Sequence, residues 1–150
     1  MRRIALLCLF GMVVIVRGVF SQTAAAPSSN FQNIGTMSQL MQRMIYPTSN
    51  DIFYIERKPP KTDYEWGLVE QSALTLAESG NLLMMPGRAR DEDKWIKDSK
   101  LLVDVGAAAY KAAIAKDLDA ILALNDQLNT ACVTCHQDYR PGYGRRRQPN

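Results

Sequence analysis

One histidine, His136, stands in a chain of 150 residues, and of its three cysteines one, Cys8, lies in an apolar N-terminal run. A single histidine excludes paired-histidine metal sites and leaves no second imidazole for acid–base work. Three cysteines exclude a disulfide-rich scaffold. A structural zinc site normally takes four Cys or His ligands, and Cys132, Cys135 and His136 are all that remain outside the N-terminus, which argues against zinc. No stretch alternates polar and apolar residues with period two, and β-branched residues are sparse beyond the N-terminus, so no sheet is expected. Nor is there a carboxylate pair at catalytic spacing, a Ser-His pair or a phosphate-binding loop, and conventional catalysis is not expected.

The first residues read as a secretory signal. Arg2 and Arg3 precede an apolar run from Ile4 to Val16, and Val19-Phe20-Ser21 offers a cleavage site that bounds the signal at 1–21. Ala24-Ala25-Ala26 allows cleavage as late as 26, and an uncleaved anchor is the lesser alternative. Charge changes with processing. Removing Arg2, Arg3 and Arg17 from the 18 basic residues leaves 15, equal to the 15 acidic ones, so no nucleic-acid partner is expected, nor membrane association after cleavage. Residues 141–150 carry Arg145, Arg146 and Arg147 among Gly142, Gly144 and Pro149, a basic tail read as disordered, with docking to an acidic surface as the alternative.

Between signal and tail, residues 27–140 read as one helical domain behind a short polar linker. A first helix is expected from Gly35-Thr36 to Tyr46, with Ile34, Met37, Leu40, Met41, Met44 and Ile45 on one arc. Pro47 is expected to end or kink it, and Ser49-Asn50-Asp51 to cap a further short piece. Pro59-Pro60 breaks the chain before a second helix, which opens on the capping box Thr62-Asp63-Tyr64-Glu65. Its inner face is Trp66, Val69, Ala73, Leu76, Ala77 and Leu83. A third helix begins near Asp91-Glu92-Asp93 and turns Trp95, Leu102, Val103, Gly106, Ala109, Tyr110 and Ala113 inward. A fourth starts at Asp117, carries Leu118, Ile121, Leu122, Asn125 and Leu128, and stops at Pro141. The fold class expected is all-α, an antiparallel up-down four-helix bundle.

The last helix also carries Cys132-Val133-Thr134-Cys135-His136. Residues at i, i+3 and i+4 share one helix face, so two sulfurs and an imidazole can address one flat ligand. C-x-x-C-H reads as a covalent attachment site for one c-type haem, with thioethers at Cys132 and Cys135 and His136 as iron ligand. A thioredoxin-like dithiol is the rival, but that motif belongs beside a strand and a helix start, not in a last helix. Thioether attachment outside the cytoplasm agrees with the signal, and the location expected is the periplasm.

A haem motif at the C-terminal end of a four-helix chain resembles the class II cytochromes c, the group of cytochrome c prime and its low-spin, methionine-ligated relatives. The match is Cys132 to Arg140, C-x-x-C-H followed by an aromatic residue and an arginine, with a weaker likeness in the Ala-rich stretch from Trp95 to Asp117. The Pro47 to Asp51 stretch departs from cytochrome c prime itself. The resemblance implies that Arg140 lies near the haem edge to pair a propionate or tune the iron, that Tyr139 packs on the ring or first helix, and that the sixth iron ligand sits on the first helix. Homodimerisation through the first two helices is also implied. On a 100° wheel Met37, Met41 and Met44 fall at roughly 0°, 40° and −20°. Gln39-Leu40-Met41 is most similar to the ligand position of methionine-ligated relatives, which makes Met41 first choice, Met37 second and Met44 third, ahead of Met84 and Met85 beside Pro86.

Three functions follow. The first is a periplasmic electron carrier exchanging electrons with redox partner proteins. The second is a five-coordinate protein of cytochrome c prime type that binds nitric oxide or carbon monoxide. The third is a haem module docked on a larger redox enzyme.

Overall fold

The computed structural model describes residues 30–144. The signal at 1–21, its alternative end at 26 and the arginines at 145–147 lie outside the described residues. Within them every regular element is helical, with no strand. The elements are α1 (Met37–Leu40), a π-helical turn (Met41–Ile45), α2 (Tyr46–Phe53), a 3-10 turn (Ile55–Arg57), α3 (Asp63–Leu83), α4 (Lys94–Ile114), α5 (Leu118–Leu122) and α6 (Asn125–Tyr139). Taken as four helices, α1 to α2, α3, α4 and α5 to α6, they make an architecture compatible with a helical bundle. No helix among the described residues is long and apolar enough to cross a membrane.

The first helix starts where the hydroxyl of Thr36 accepts the Gln39 amide and the Gln39 side chain accepts the Thr36 amide. It does not end at Pro47. A proline ring in a regular helix meets the carbonyl four residues back, here that of Arg43. The turn just before Pro47 is instead π-helical, with the Tyr46 amide donating to the Met41 carbonyl, and this wider turn carries the helix through the proline. Hydroxyls take up nearby carbonyls: Thr48 donates to Met44 at 2.6 Å and Ser49 to Tyr46 at 2.9 Å. Ser49-Asn50-Asp51 is therefore helix interior, not a cap, and Asp51 accepts the Ser72 hydroxyl at 2.7 Å, tying α2 to α3. Ile34 precedes the helix and is 86% exposed, so it is not on the inner arc.

The capping box of α3 forms as read, Thr62 accepting the Glu65 amide and Glu65 accepting the Thr62 amide. Trp66, Ala73, Leu76, Ala77 and Leu83 are buried, with Val69 half-buried. On α4, Trp95, Leu102, Gly106, Ala109 and Ala113 are buried as expected, but Val103 and Tyr110 are only half so. Val105 and Ala112 are buried beside them, because α4 packs on both α3 and α6 and hides a wider strip than one neighbour would.

The fourth helix departs from the single run expected. Asp117 caps α5 through the Ala120 amide at 2.9 Å, but the Leu124 amide bonds to Ile121 at three-residue spacing, and α6 starts afresh at Asn125. Ile121 and Leu128, on either side of the break, are both fully buried, so the apolar pattern stays in phase across it and periodicity does not register the interruption.

Candidate functional site

The helical spacing of the C-x-x-C-H stretch in α6 sets Cys132, Cys135 and His136 along one wall. Cys135 is buried, Cys132 and His136 half-buried. All three line an inner cavity of about 30 Å³, closed by Met41, Ile45, Leu83, Asp98, Leu102 and Ala131. Adjoining it, through the shared walls of Met41, Cys135 and His136, is a cleft of about 350 Å³. That volume falls among small-molecule pockets, which run from ~300 to ~1,000 Å³. The cleft walls come from the first helix (Met37, Ser38, Met41, Gln42), the loop before α4 (Arg90), α4 (Trp95) and the end of α6 (Cys135, His136, Tyr139, Arg140).

The fold thus brings Met41 to the same cavity as the cysteines and His136, from the far end of the described chain. Met37 lines the cleft too, but Met44 lines neither cavity and packs on the core. The wheel that placed three methionines in one stripe assumes 100° per residue. The π-turn advances less per residue, so Met44 lags around the helix and leaves the wall. Met84 and Met85 are absent from both cavities, and the Met85 sulfur accepts from the Arg88 guanidinium at 3.4 Å.

Arg140 is at the cleft wall and exposed, its Cζ 5.7 Å from the Tyr143 ring. Tyr139 packs edge-on against Trp95, ring centroids 4.8 Å apart, and its hydroxyl donates to Asp91. Trp95 is fixed in turn by its indole N–H, which donates to the Leu83 carbonyl at 2.8 Å. One side of the cleft is therefore a rigid aromatic wall.

The electrostatics favour neutral donors. Burial pushes both thiols up, Cys135 to about 11 with the Asp98 and Asp138 carboxylates adding to the effect. Burial, then the Arg140 charge, lowers the His136 imidazole, so it is neutral near pH 7 with a nitrogen lone pair free to bind a metal. A reactive dithiol pair carries a depressed thiol pKa, the opposite of what is found here.

Asp98 carries no motif that marks it in the sequence. It is 5% exposed, one carboxylate oxygen has no hydrogen-bond partner, and burial raises its pKa. A signal for it does exist, since position 98 sits at helical spacing between Trp95 and Leu102, both buried on the inner face. Arg90, Ser38 and Gln42 also line the cleft without any motif to mark them. Comparison with protein-family models, curated proteins and solved structures finds no match to this chain.

Proposed function

We propose that the cleft and inner cavity hold one covalently attached haem c, and that the protein is an exported, periplasmic electron carrier serving redox partner proteins. The observation that carries the reading is the convergence of Met41 with Cys132, Cys135 and His136 on one cavity. The donor set suits the group: two thiols for thioethers, one neutral imidazole, and a soft thioether sulfur from a second helix. Bound there, haem would supply an iron that changes oxidation state by one electron without bond making.

This chain's residues have distinct parts in that reading. Cys132 and Cys135 would tether the ring, and His136 and Met41 would ligate the iron, with Met37 also on the cleft wall. Trp95 and Tyr139 keep water from one side. Arg140 neutralises a propionate. The helices are proposed to run antiparallel up and down, as the short connection from Ala115 to Asp117 between α4 and α5 favours.

The test is the visible spectrum of the purified haem-loaded protein, ferric and dithionite-reduced, before and after carbon monoxide. Low-spin bands that carbon monoxide leaves unchanged, converted in Met41→Ala to a form that binds it, are the expected result. A high-spin spectrum in the parent that shifts at once with carbon monoxide would replace the carrier with the gas-binding reading, and absence of any haem band would end both.

A further inference from the structure

We infer that Arg90 is a second cationic anchor for the carboxylates of the cleft's ligand, acting from the loop before α4 while Arg140 acts from the end of α6. The inference rests on the haem reading, whose cofactor carries two propionates.

The charge inventory of the cleft is lopsided. Arg90 and Arg140 line it, and no aspartate or glutamate does. Among the described residues neither guanidinium has an ion-pair or hydrogen-bond partner, although neighbouring cations are engaged. Lys94 pairs with Asp138 and Lys97 with Asp93, each at 2.7 Å, and Arg88 donates to the Leu82 carbonyl at 3.3 Å. The acidic residues beside Arg90 do not supply its partner either. Asp91 is taken by the Tyr139 hydroxyl and by the amides of Asp93 and Trp95, and Asp93 by Lys97.

The loop that carries Arg90 is pinned on both sides of it. On one side Arg88 reaches the Gly35 carbonyl at 3.5 Å, just ahead of the first helix, and Asn33 donates to the Pro86 carbonyl at 2.9 Å. On the other, Asp91 accepts the Trp95 amide at 2.9 Å and is held to α6 by Tyr139. Each hydrogen bond restricts the backbone on its side of residue 90, so the position of Arg90 is set from both sides. The residue between the pins is Arg90, at the wall of a cleft otherwise short of charge. A guanidinium presents a planar fork that matches a carboxylate with two parallel hydrogen bonds, and two of them on separate elements match a ligand with two carboxylates.

The experiment uses the full haem-loaded chain with ¹³C in the propionate carboxyls. Infrared difference spectra between oxidised and reduced protein are recorded for the parent, Arg90→Gln, Arg90→Lys, Arg140→Gln, and Arg57→Gln, whose guanidinium lies 3.9 Å over the Tyr54 ring away from the cleft. Arg90→Gln is expected to shift a labelled carboxylate band and lower the midpoint potential, Arg90→Lys to do so less, and Arg57→Gln to do neither. Labelled bands in Arg90→Gln that superimpose on the parent while those of Arg140→Gln move would overturn the anchor and leave the haem reading intact. A purified chain without haem absorption would fail the haem reading itself.

Discussion

Gly106 on α4 lies flat against the backbone of Ala77 on α3: a Cβ at Gly106 would stand 2.6 Å from the Ala77 nitrogen and 2.7 Å from its Cα. Backbone atoms cannot swing aside, so the two longest helices would have to part. Gly106→Ala is expected to lower stability by about 1–3 kcal/mol, the usual penalty of overpacking. Gly67, on the same α3, is the control, because a methyl group added there would have nothing within 4 Å. Its change to alanine should raise stability by about 0.5–1 kcal/mol through helix propensity alone. Urea denaturation measures both, and two stabilising changes would mean that close approach at Gly106 is not needed.

Gly106 is legible in the sequence as an inner-face position, but what its missing side chain makes room for is not. The room goes to α3, not to the cleft, because Gly106 faces Ala77. Helix starts are the most legible feature, since Thr62 and Asp117 cap through local side-chain chemistry that a short window of sequence contains. The path through Pro47 and the α5 to α6 break are not. A proline's effect depends on whether the preceding turn widens, and a break that keeps the apolar phase leaves no trace in periodicity. Within the site, Cys132, Cys135 and His136 can be read because their motif is local, whereas Met41 is expected from the resemblance, since spacing alone leaves it in one stripe with Met37 and Met44. Arg90 cannot be read, because only the tertiary pins at Arg88 and Asp91 bring it to the cleft.

Asp98 should make stability depend on pH with an unusual sign. Burial first, then the Asp138 charge, raises its carboxyl above the usual range, so the folded chain binds this proton more tightly than the unfolded one. An ionised Asp98 therefore weakens the fold, and the penalty fades as pH falls toward the unfolded value of about 3.9. Asp98→Asn is expected to be more stable than the parent at neutral pH, by a margin that shrinks on acidification. Urea midpoints of the two proteins across that range measure it, and a margin independent of pH would show the carboxyl to be unshifted.

Asp91 has the opposite sign. The Tyr139 hydroxyl, then the Trp95 amide, hold its carboxyl below the usual range, so its contribution is present above about pH 4 and lost as pH falls through the folded-state value. Tyr139→Phe removes the first of these donors and the link from loop to α6. Faster amide exchange at Asp93 and Trp95, with a smaller loss of stability in acid than the parent shows, is the expected outcome. Unchanged exchange at both amides would mean the loop is held without Tyr139.

Pro47 makes the sharpest case for the wide turn before it. In a regular helix interior proline is worse than alanine by about 3 kcal/mol, from the missing N–H and the clash with the carbonyl four residues back. The turn before it is π-helical, with Tyr46 bonded five residues back to Met41, and a wider turn relieves that clash. Pro47→Ala is therefore expected to gain less than about 1 kcal/mol in urea denaturation. A gain near ~3 kcal/mol would mean the proline is strained where it stands. The same turn keeps Met44 off the cleft wall while Met37 and Met41 stay on it, so a variant in which it tightened to α-helical geometry would bring a third methionine round toward His136. If Pro47→Ala keeps the π-turn, slow exchange of the Tyr46 amide is retained, and the choice of methionine at the cleft is set by the helix around it, not by the proline.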